Sequence, residues 1–150
     1  MDAYLLLKFV HVLLAILAVG YNFSYGVWRA LARGDRERVR FALAGIQRLD
    51  RIANAGYGLL LVTGLAMVFL HNIPIRTFWV ETSISLWILV AVVGMAVYAR
   101  VARRQRALLD STGPDDPAYR AADARSTQLG IGVTILVVII VFLMVVKPTP

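Results

Sequence analysis

The sequence predicts an all-α, polytopic membrane protein, a single up-down-up-down bundle of four transmembrane helices. The chain of 150 residues is 59% hydrophobic, with a mean hydropathy of +0.71, which is typical of membrane proteins rather than soluble domains. Four apolar stretches are each long enough to cross a hydrocarbon core, which needs about 20 helical residues. Short polar segments connect them, so we expect sequential helices to be antiparallel neighbours.

The predicted spans cover residues 3–31, 52–70, 79–98 and 129–146. Asp2 can cap the first span, and Arg33-Gly34 ends it. Pro74 ends the second span because proline cannot continue a helix, and the Gly113-Pro114 segment marks a turn in the third loop. We expect the first span to be a membrane helix rather than a cleaved signal peptide, because its basic residues follow the apolar run instead of preceding it.

The segments beside the spans allow more than one interpretation. Residues 35–51 place apolar side chains on one face and arginines on the other, which predicts either a basic amphipathic helix at the membrane interface or an extension of the second span. Residues 118–128 can lead helically into the fourth span. Lys147 is either an anchor at the membrane surface or a functional lysine.

The net charge of +7 reflects topology rather than nucleic-acid binding, since the basic residues flank apolar spans. Of the 16 Lys and Arg residues, 13 lie on the side of the first and third loops: Arg29, Arg33, Arg36, Arg38, Arg40, Arg48, Arg51, Arg100, Arg103, Arg104, Arg106, Arg120 and Arg125. The positive-inside rule then predicts a multi-pass protein of the cell (inner or plasma) membrane, with these loops in the cytoplasm and both termini extracytoplasmic.

Composition and motifs exclude several kinds of chemistry. The chain has no cysteine, so disulfides, thiolate metal sites and thiol nucleophiles are absent, and only two histidines are present. The sequence contains no phosphate-binding glycine loop and no His-Glu-x-x-His motif. Acidic residues are nearly absent from the spans, which disfavours a proton-driven transporter.

Polar side chains follow one face of each of the first two spans. Residues three and four apart share a helix face. The first stripe comprises Lys8, His11, Ala15, Ala18, Asn22, Tyr25 and Arg29, and the second comprises Asp50, Asn54, Tyr57, Leu61, Gly64, Val68 and His71. Charged groups in a bilayer cost about 2.5–3.5 kcal/mol each on insertion scales and usually face the bundle interior. The two stripes are therefore predicted to face each other.

Antiparallel alignment of the stripes predicts an inner polar layer near the cytoplasm. Its members are Asn22, Tyr25, Arg29, Asp50, Asn54 and Tyr57. In one interpretation the pairs Arg29–Asp50 and Asn22–Asn54 hold the two helices in register. Such bonds contribute only about 0.6 kcal/mol each in membranes, so they would specify register more than they add stability. In the other, the layer is a head-group or substrate site that opens to the cytoplasm.

An outer layer combines Lys8 and His11 with His71 and, at the start of the third span, Glu81 and Ser85. His11 lies about 10 Å inside the first helix, where imidazole can ligate haem iron or copper, relay protons or bond a neighbouring helix. A bis-histidine haem site is not expected, because His71 lies at the rim of the second span. The candidate cofactor-binding residues are therefore His11, which would be the axial ligand if haem is bound, and Lys8 and His71 beside it.

Small residues can serve either of two purposes in the second and fourth spans. The glycines concerned are Gly56, Gly58, Gly64, Gly130 and Gly132. Close helix packing is the usual role of such residues. The alternative is room for a flat ligand such as a porphyrin or a quinone.

Short motifs in the first and second spans and at the end of the fourth resemble known membrane families. The segment Leu7-Lys8-Phe9-Val10-His11-Val12, the segment Leu61-Val62-Thr63-Gly64 and the terminal Val145-Val146-Lys147-Pro148 are similar to the corresponding "LKxxHV", "LxTG" and "VxKP" motifs. These motifs occur in an uncharacterised family of predicted four-span integral membrane proteins, in HemJ-type protoporphyrinogen oxidases and in copper-resistance D-like membrane domains. Length and both ends match the first of these best.

The resemblance to the oxidase family implies haem b on His11. The third span departs from that family, whose lysine and histidine are missing from Trp79 to Tyr98, so the resemblance does not extend to oxidase activity. We expect a small membrane protein that binds haem b or takes part in membrane redox chemistry through His11. The alternative is a non-catalytic accessory subunit whose partners, besides the bilayer, are other membrane subunits or further copies of the chain.

Overall fold

The computed structural model describes residues 2–32 and 34–149. All regular secondary structure in these residues is helical: α1 (Ala3–Leu31), α2 (Arg36–Leu70), α3 (Phe78–Val92), a π-helical segment (Val93–Tyr98), α4 (Ala99–Ser111) and α5 (Pro117–Val146). Because α3, the π segment and α4 form one continuous rod, these elements make four rods, each long and apolar enough to cross a membrane. The predicted all-α, four-helix class is confirmed.

Local sequence explains where the helices begin. Asp2 accepts a hydrogen bond from the Tyr4 amide (3.1 Å) at the start of α1, and Asp35 caps α2 through the Arg38 amide (2.8 Å). Asp116 caps α5, with proline in its first turn. Each carboxylate satisfies an amide that has no partner within its helix.

Two glycines with positive φ shape the turns that connect the helices. Gly34 (φ +86°) lies between α1 and α2, and Gly113 (φ +93°) lies between α4 and α5. Residues with a Cβ adopt this conformation only with strain. The predicted helix end at Arg33-Gly34 falls partly on Arg33, which is outside the described residues.

The segment before the second span is an extension of that span. α2 continues unbroken from Arg36 to Leu70, and Ala42, Leu43 and Ile46 on its apolar face are buried against the protein. A helix lying at the membrane interface would turn this face to lipid. The fourth span is likewise preceded by helix, because α5 already begins at Pro117.

The four rods form two hairpins that meet at both ends. α1 packs along α2, and the α3–π–α4 rod packs along α5. We call the end with the Gly34 and Gly113 turns the basic end and the opposite end, with both termini, the terminal end. At the basic end Leu43 and Ile46 of α2 join Leu109 and Tyr119. At the terminal end the contacting residues are Val68, Trp79, Val80 and Leu143.

Lys147 ends α5 at the terminal end. It adopts the left-handed conformation (φ 50°), and its amide donates to the Leu143 carbonyl (3.0 Å). Its ammonium group lies 5.3 Å from the centre of the Trp79 ring, within range of a cation–π contact. This contact with an aromatic residue at a helix end supports the anchor interpretation of Lys147.

Candidate functional site

His11 lies in the interface between α1 and α2. Its Nδ1 is 2.8 Å from Oγ1 of Thr63. A Cβ added at Gly64 would lie 3.2 Å from Cε1 of His11, closer than nearly all real contacts. Gly64 therefore provides the space that the imidazole occupies, and Thr63 fixes the orientation of the ring.

The hydrogen bonds of Thr63 indicate which ring nitrogen carries the proton. The Thr63 hydroxyl donates its single hydrogen to the Leu59 carbonyl (2.8 Å). Oγ1 then accepts from Nδ1–H of His11, which leaves a lone pair on Nε2. Among the described residues, no side chain or backbone group forms a hydrogen bond with Nε2 of His11, so this nitrogen is left without a hydrogen-bond partner in this part of the structure.

The other members of the predicted outer layer do not converge on His11. His71 follows α2, is exposed, and packs edge-on against Tyr4 with ring centres 3.9 Å apart. Because Tyr4 lies seven residues before His11, this contact places His71 about 10 Å from the level of His11 along α1. Lys8, Glu81 and Ser85 are exposed as well. In the part of the chain that the structure describes, no group of three or more His, Asp or Glu side chains could hold a metal ion.

The inner layer is held by tyrosines rather than by the predicted pairs. Tyr25 donates to Asp50 (2.8 Å). Asn22 donates to the Tyr57 hydroxyl, which is 3.4 Å from the Ala18 carbonyl. The predicted Asn22–Asn54 pair is wrong, because Asn54 is exposed.

The predicted Arg29–Asp50 ion pair is also wrong, because Arg29 reaches across to the second hairpin. Its Nη1 donates to Asp123 (2.6 Å) and to Thr127 (3.0 Å). Its Nη2 donates to Ser126 (2.9 Å) and Gln105 (3.3 Å). Gln105 also donates to Asp123 (2.6 Å). We call these five residues the Arg29 network.

Four members of the Arg29 network, namely Gln105, Asp123, Ser126 and Thr127, were not identified from the sequence. Gln105 and Ser126 are each 1% exposed, and Asp123 is the one acidic residue of α5. Asp123, Ser126 and Thr127 are spaced three and four residues apart, a signal that would have placed them on one face of α5.

A second set of arginines joins α2 to α4. Arg40 donates to Asp110 through Nη2 (2.7 Å) and Nε (3.1 Å). Arg36 donates to the Asp110 carbonyl, and Arg106 donates to the Leu43 carbonyl and to the Gln47 side chain. Part of the positive charge at the basic end therefore serves to hold the two helical hairpins together.

Two neighbouring cavities lie between α5 and the rod formed by α3, the π segment and α4. One, of about 480 Å³, is lined by Val97, Arg100, Val101, Arg104, Ala118, Ala121, Ala122 and Arg125. The other, of about 520 Å³, is lined by Val93, Arg125, Gln128, Leu129, Gly132, Val133 and Leu136. Arg125 borders both, and we call the two together the α5 groove.

Comparison with known proteins gives the class of the protein. The family model described as "Predicted integral membrane protein (DUF2269)" matches residues 5–148. The chain belongs to this family. The match covers nearly all of the four rods of this DUF2269 protein, in agreement with their length and apolar composition. No curated protein and no solved structure matches the chain.

Proposed function

We propose that this DUF2269 protein binds haem b through Nε2 of His11 and takes part in membrane redox chemistry. The observation that carries the proposal is the hydrogen bond between Nδ1 of His11 and Thr63. Histidines that ligate a metal usually donate their other ring N–H to a fixed acceptor, which sets the tautomer and the ring orientation. His11 has this arrangement, and Nε2 keeps a free lone pair.

The surroundings of His11 define how such a group would be held. Gly64 supplies room for the imidazole, and neither cavity of the α5 groove borders His11. Haem iron would supply one-electron transfer, while Thr63 keeps a proton on Nδ1 and so leaves the Nε2 lone pair for the iron. The motif around Lys8 and His11 resembles HemJ-type and copper-resistance D-like sequences. This resemblance also supports His11 as the haem ligand.

Absorption spectroscopy tests this proposal directly. Protein purified from haem-supplemented cells is expected to show a Soret band with stoichiometric haem. The band should be lost in His11→Ala and kept in His71→Ala, the matched control at the other histidine. Thr63→Val should keep haem but shift its reduction potential, because Nδ1 loses its acceptor. A colourless protein, or equal loss of the band in both histidine variants, would overturn the proposal.

The alternative function is that of an accessory subunit in a larger membrane complex. The observation that favours it is an exposed apolar stripe on α1, where Phe9, Ile16 and Phe23 recur every seven residues and are 62%, 63% and 59% exposed. Repeats of this period are typical of surfaces that pack against another helix. Co-purification of a partner in mild detergent, lost in Ile16→Asn, would support this role. A solitary chain in mild detergent would contradict it.

We also propose that the protein lies in the cell (inner or plasma) membrane with its basic end in the cytoplasm. The support is the concentration of arginines at that end. Because the chain has no cysteine, single Arg76→Cys and Thr112→Cys variants report the two sides separately. A membrane-impermeant maleimide should label intact spheroplasts at position 76 and not at position 112. The reverse pattern would contradict this orientation.

A further inference from the structure

Three arginines converge in the α5 groove without a counter-charge. Arg100 and Arg104 lie one helical turn apart on α4, and Arg125 faces them from α5. In the described residues, ion pairs engage Arg29, Arg40 and Arg120 but none of these three. The residues that line this part of the groove include no carboxylate. The three side chains are exposed, so this part of the groove presents an uncompensated positive surface. Guanidinium groups match the oxygens of phosphate in particular.

The groove continues beyond Arg125 as an open apolar depression along α5, which we call the apolar channel. Its lining there consists of Val93, Leu129, Gly132, Val133 and Leu136, with Gln128 at the boundary. A Cβ added at Gly132 would meet no atom within 4 Å, so this glycine leaves the channel open. From Arg125 to Leu136 the groove follows α5 for about 16 Å at 1.5 Å per residue, which is about half of a hydrocarbon core of about 30 Å.

The π-helical segment forms part of the wall along both halves. Val93 borders the apolar channel and Val97 borders the basic part, and both belong to the π segment Val93–Tyr98. A π turn holds one more residue than an α turn and occurs frequently at functional sites. Here it lies where the groove passes from apolar to basic.

We propose that the α5 groove binds one anionic phospholipid from the leaflet at the basic end. Arg100, Arg104 and Arg125 hold its phosphate, and one acyl chain follows the channel past Gly132. Basic pockets between transmembrane helices are known to take anionic lipid head groups, and the length of the channel fits one leaflet. Free phosphate would leave the apolar half of the groove unused. A zwitterionic lipid would bring a cation toward three arginines.

Native mass spectrometry of the purified chain, titrated with lipid, tests this proposal. The probes are dioleoyl phosphatidylglycerol, dioleoyl phosphatidylcholine with the same acyl chains, and inorganic phosphate. The first is expected to bind on the order of a hundredfold more tightly than the second, because each of the three arginines contributes on the order of a fivefold change in affinity for an anionic lipid. Equal binding of the two lipids would overturn the proposal.

Charge variants separate the groove from the general positive charge of this end. The triple substitution Arg100→Gln, Arg104→Gln and Arg125→Gln should reduce phosphatidylglycerol binding to the phosphatidylcholine level. The control triple Arg38→Gln, Arg48→Gln and Arg103→Gln removes the same charge outside the groove and should retain the preference. Equal loss in both triples would refute a specific site. If the groove triple does not fold, Arg104→Gln alone should still lower the preference several-fold.

A glycine pair tests the acyl channel without changing charge. Gly132→Leu fills the channel and should weaken phosphatidylglycerol binding by about tenfold, while Gly130→Leu, which has equal space but does not line the groove, should not. If Gly132→Leu changes neither the binding of inorganic phosphate nor the binding of phosphatidylglycerol, the groove is a simple anion site. That result would overturn the proposal. These readouts do not involve His11, so the result is independent of haem binding.

Discussion

Replacement of Arg29 by leucine should destabilise the protein by about 2 kcal/mol. The guanidinium makes four hydrogen bonds that connect α1 to α4 and α5. Hydrogen bonds between membrane helices average about 0.6 kcal/mol each, and the four together give this magnitude. Loss of a buried charge partner can cost 3–5 kcal/mol. The Asp123 side chain is 42% exposed, however, and keeps its bond from Gln105 (2.6 Å), so the smaller value applies.

Equilibrium unfolding in mixed micelles of dodecyl sulfate and a mild detergent, followed by tryptophan fluorescence, measures this change. Arg29→Lys, which keeps the charge but not the planar fork, should lose about half as much stability. The matched control is Arg48→Leu, because Arg48 is exposed and makes no side-chain hydrogen bond in the described structure. Its unfolding should stay within about 0.5 kcal/mol of the wild type. Equal destabilisation at Arg29 and Arg48, or no change at Arg29, would refute the assigned role of the network.

The remaining predictions concern the α1–α2 hairpin. Tyr25→Phe removes the donor to Asp50 (2.8 Å) and should lower the free energy of unfolding by about 1 kcal/mol in the same assay; an unchanged value would show that this bond does not contribute. Gly64→Leu brings a side chain against the histidine ring and should cost about 1–3 kcal/mol through overpacking, with loss of any Soret band. Gly58→Leu, placed where a Cβ has open space, should change neither quantity.

The periodicity of the apolar residues was enough to predict the four rods. The first span begins and ends where the sequence placed it, because Asp2 and the Gly34 turn are local signals. The other three rods extend beyond their predicted spans at the basic end, since hydropathy measures membrane passage rather than helix length. The second and fourth rods begin at Arg36 and Pro117, and the third continues to Ser111, all in polar sequence at the basic end.

The partners within the polar layers could not be predicted, for two physical reasons. A stripe drawn at 3.5 residues per turn drifts about 20° per heptad from a straight helix. As a result Ala53, 2% exposed, faces inward in place of its neighbour Asn54. The partner of Arg29 is 94 residues away on a helix of the second hairpin. An alignment of α1 with α2 alone could not include Asp123.

The two proposed sites lie on different hairpins, and this separation makes them distinguishable. His11 belongs to the α1–α2 interface, whereas the α5 groove is formed by the other hairpin. At the basic end, Arg29 connects the two through Gln105 on α4 and through residues of α5. Thr127, bound to Arg29, lies two residues after Arg125 of the groove. Gly132→Leu should therefore alter lipid binding and leave haem binding unchanged. Arg29 lies outside the groove, but Arg29→Leu frees α5 from α1 and should weaken lipid binding. Unchanged lipid binding in Arg29→Leu would show that the second hairpin alone shapes the groove.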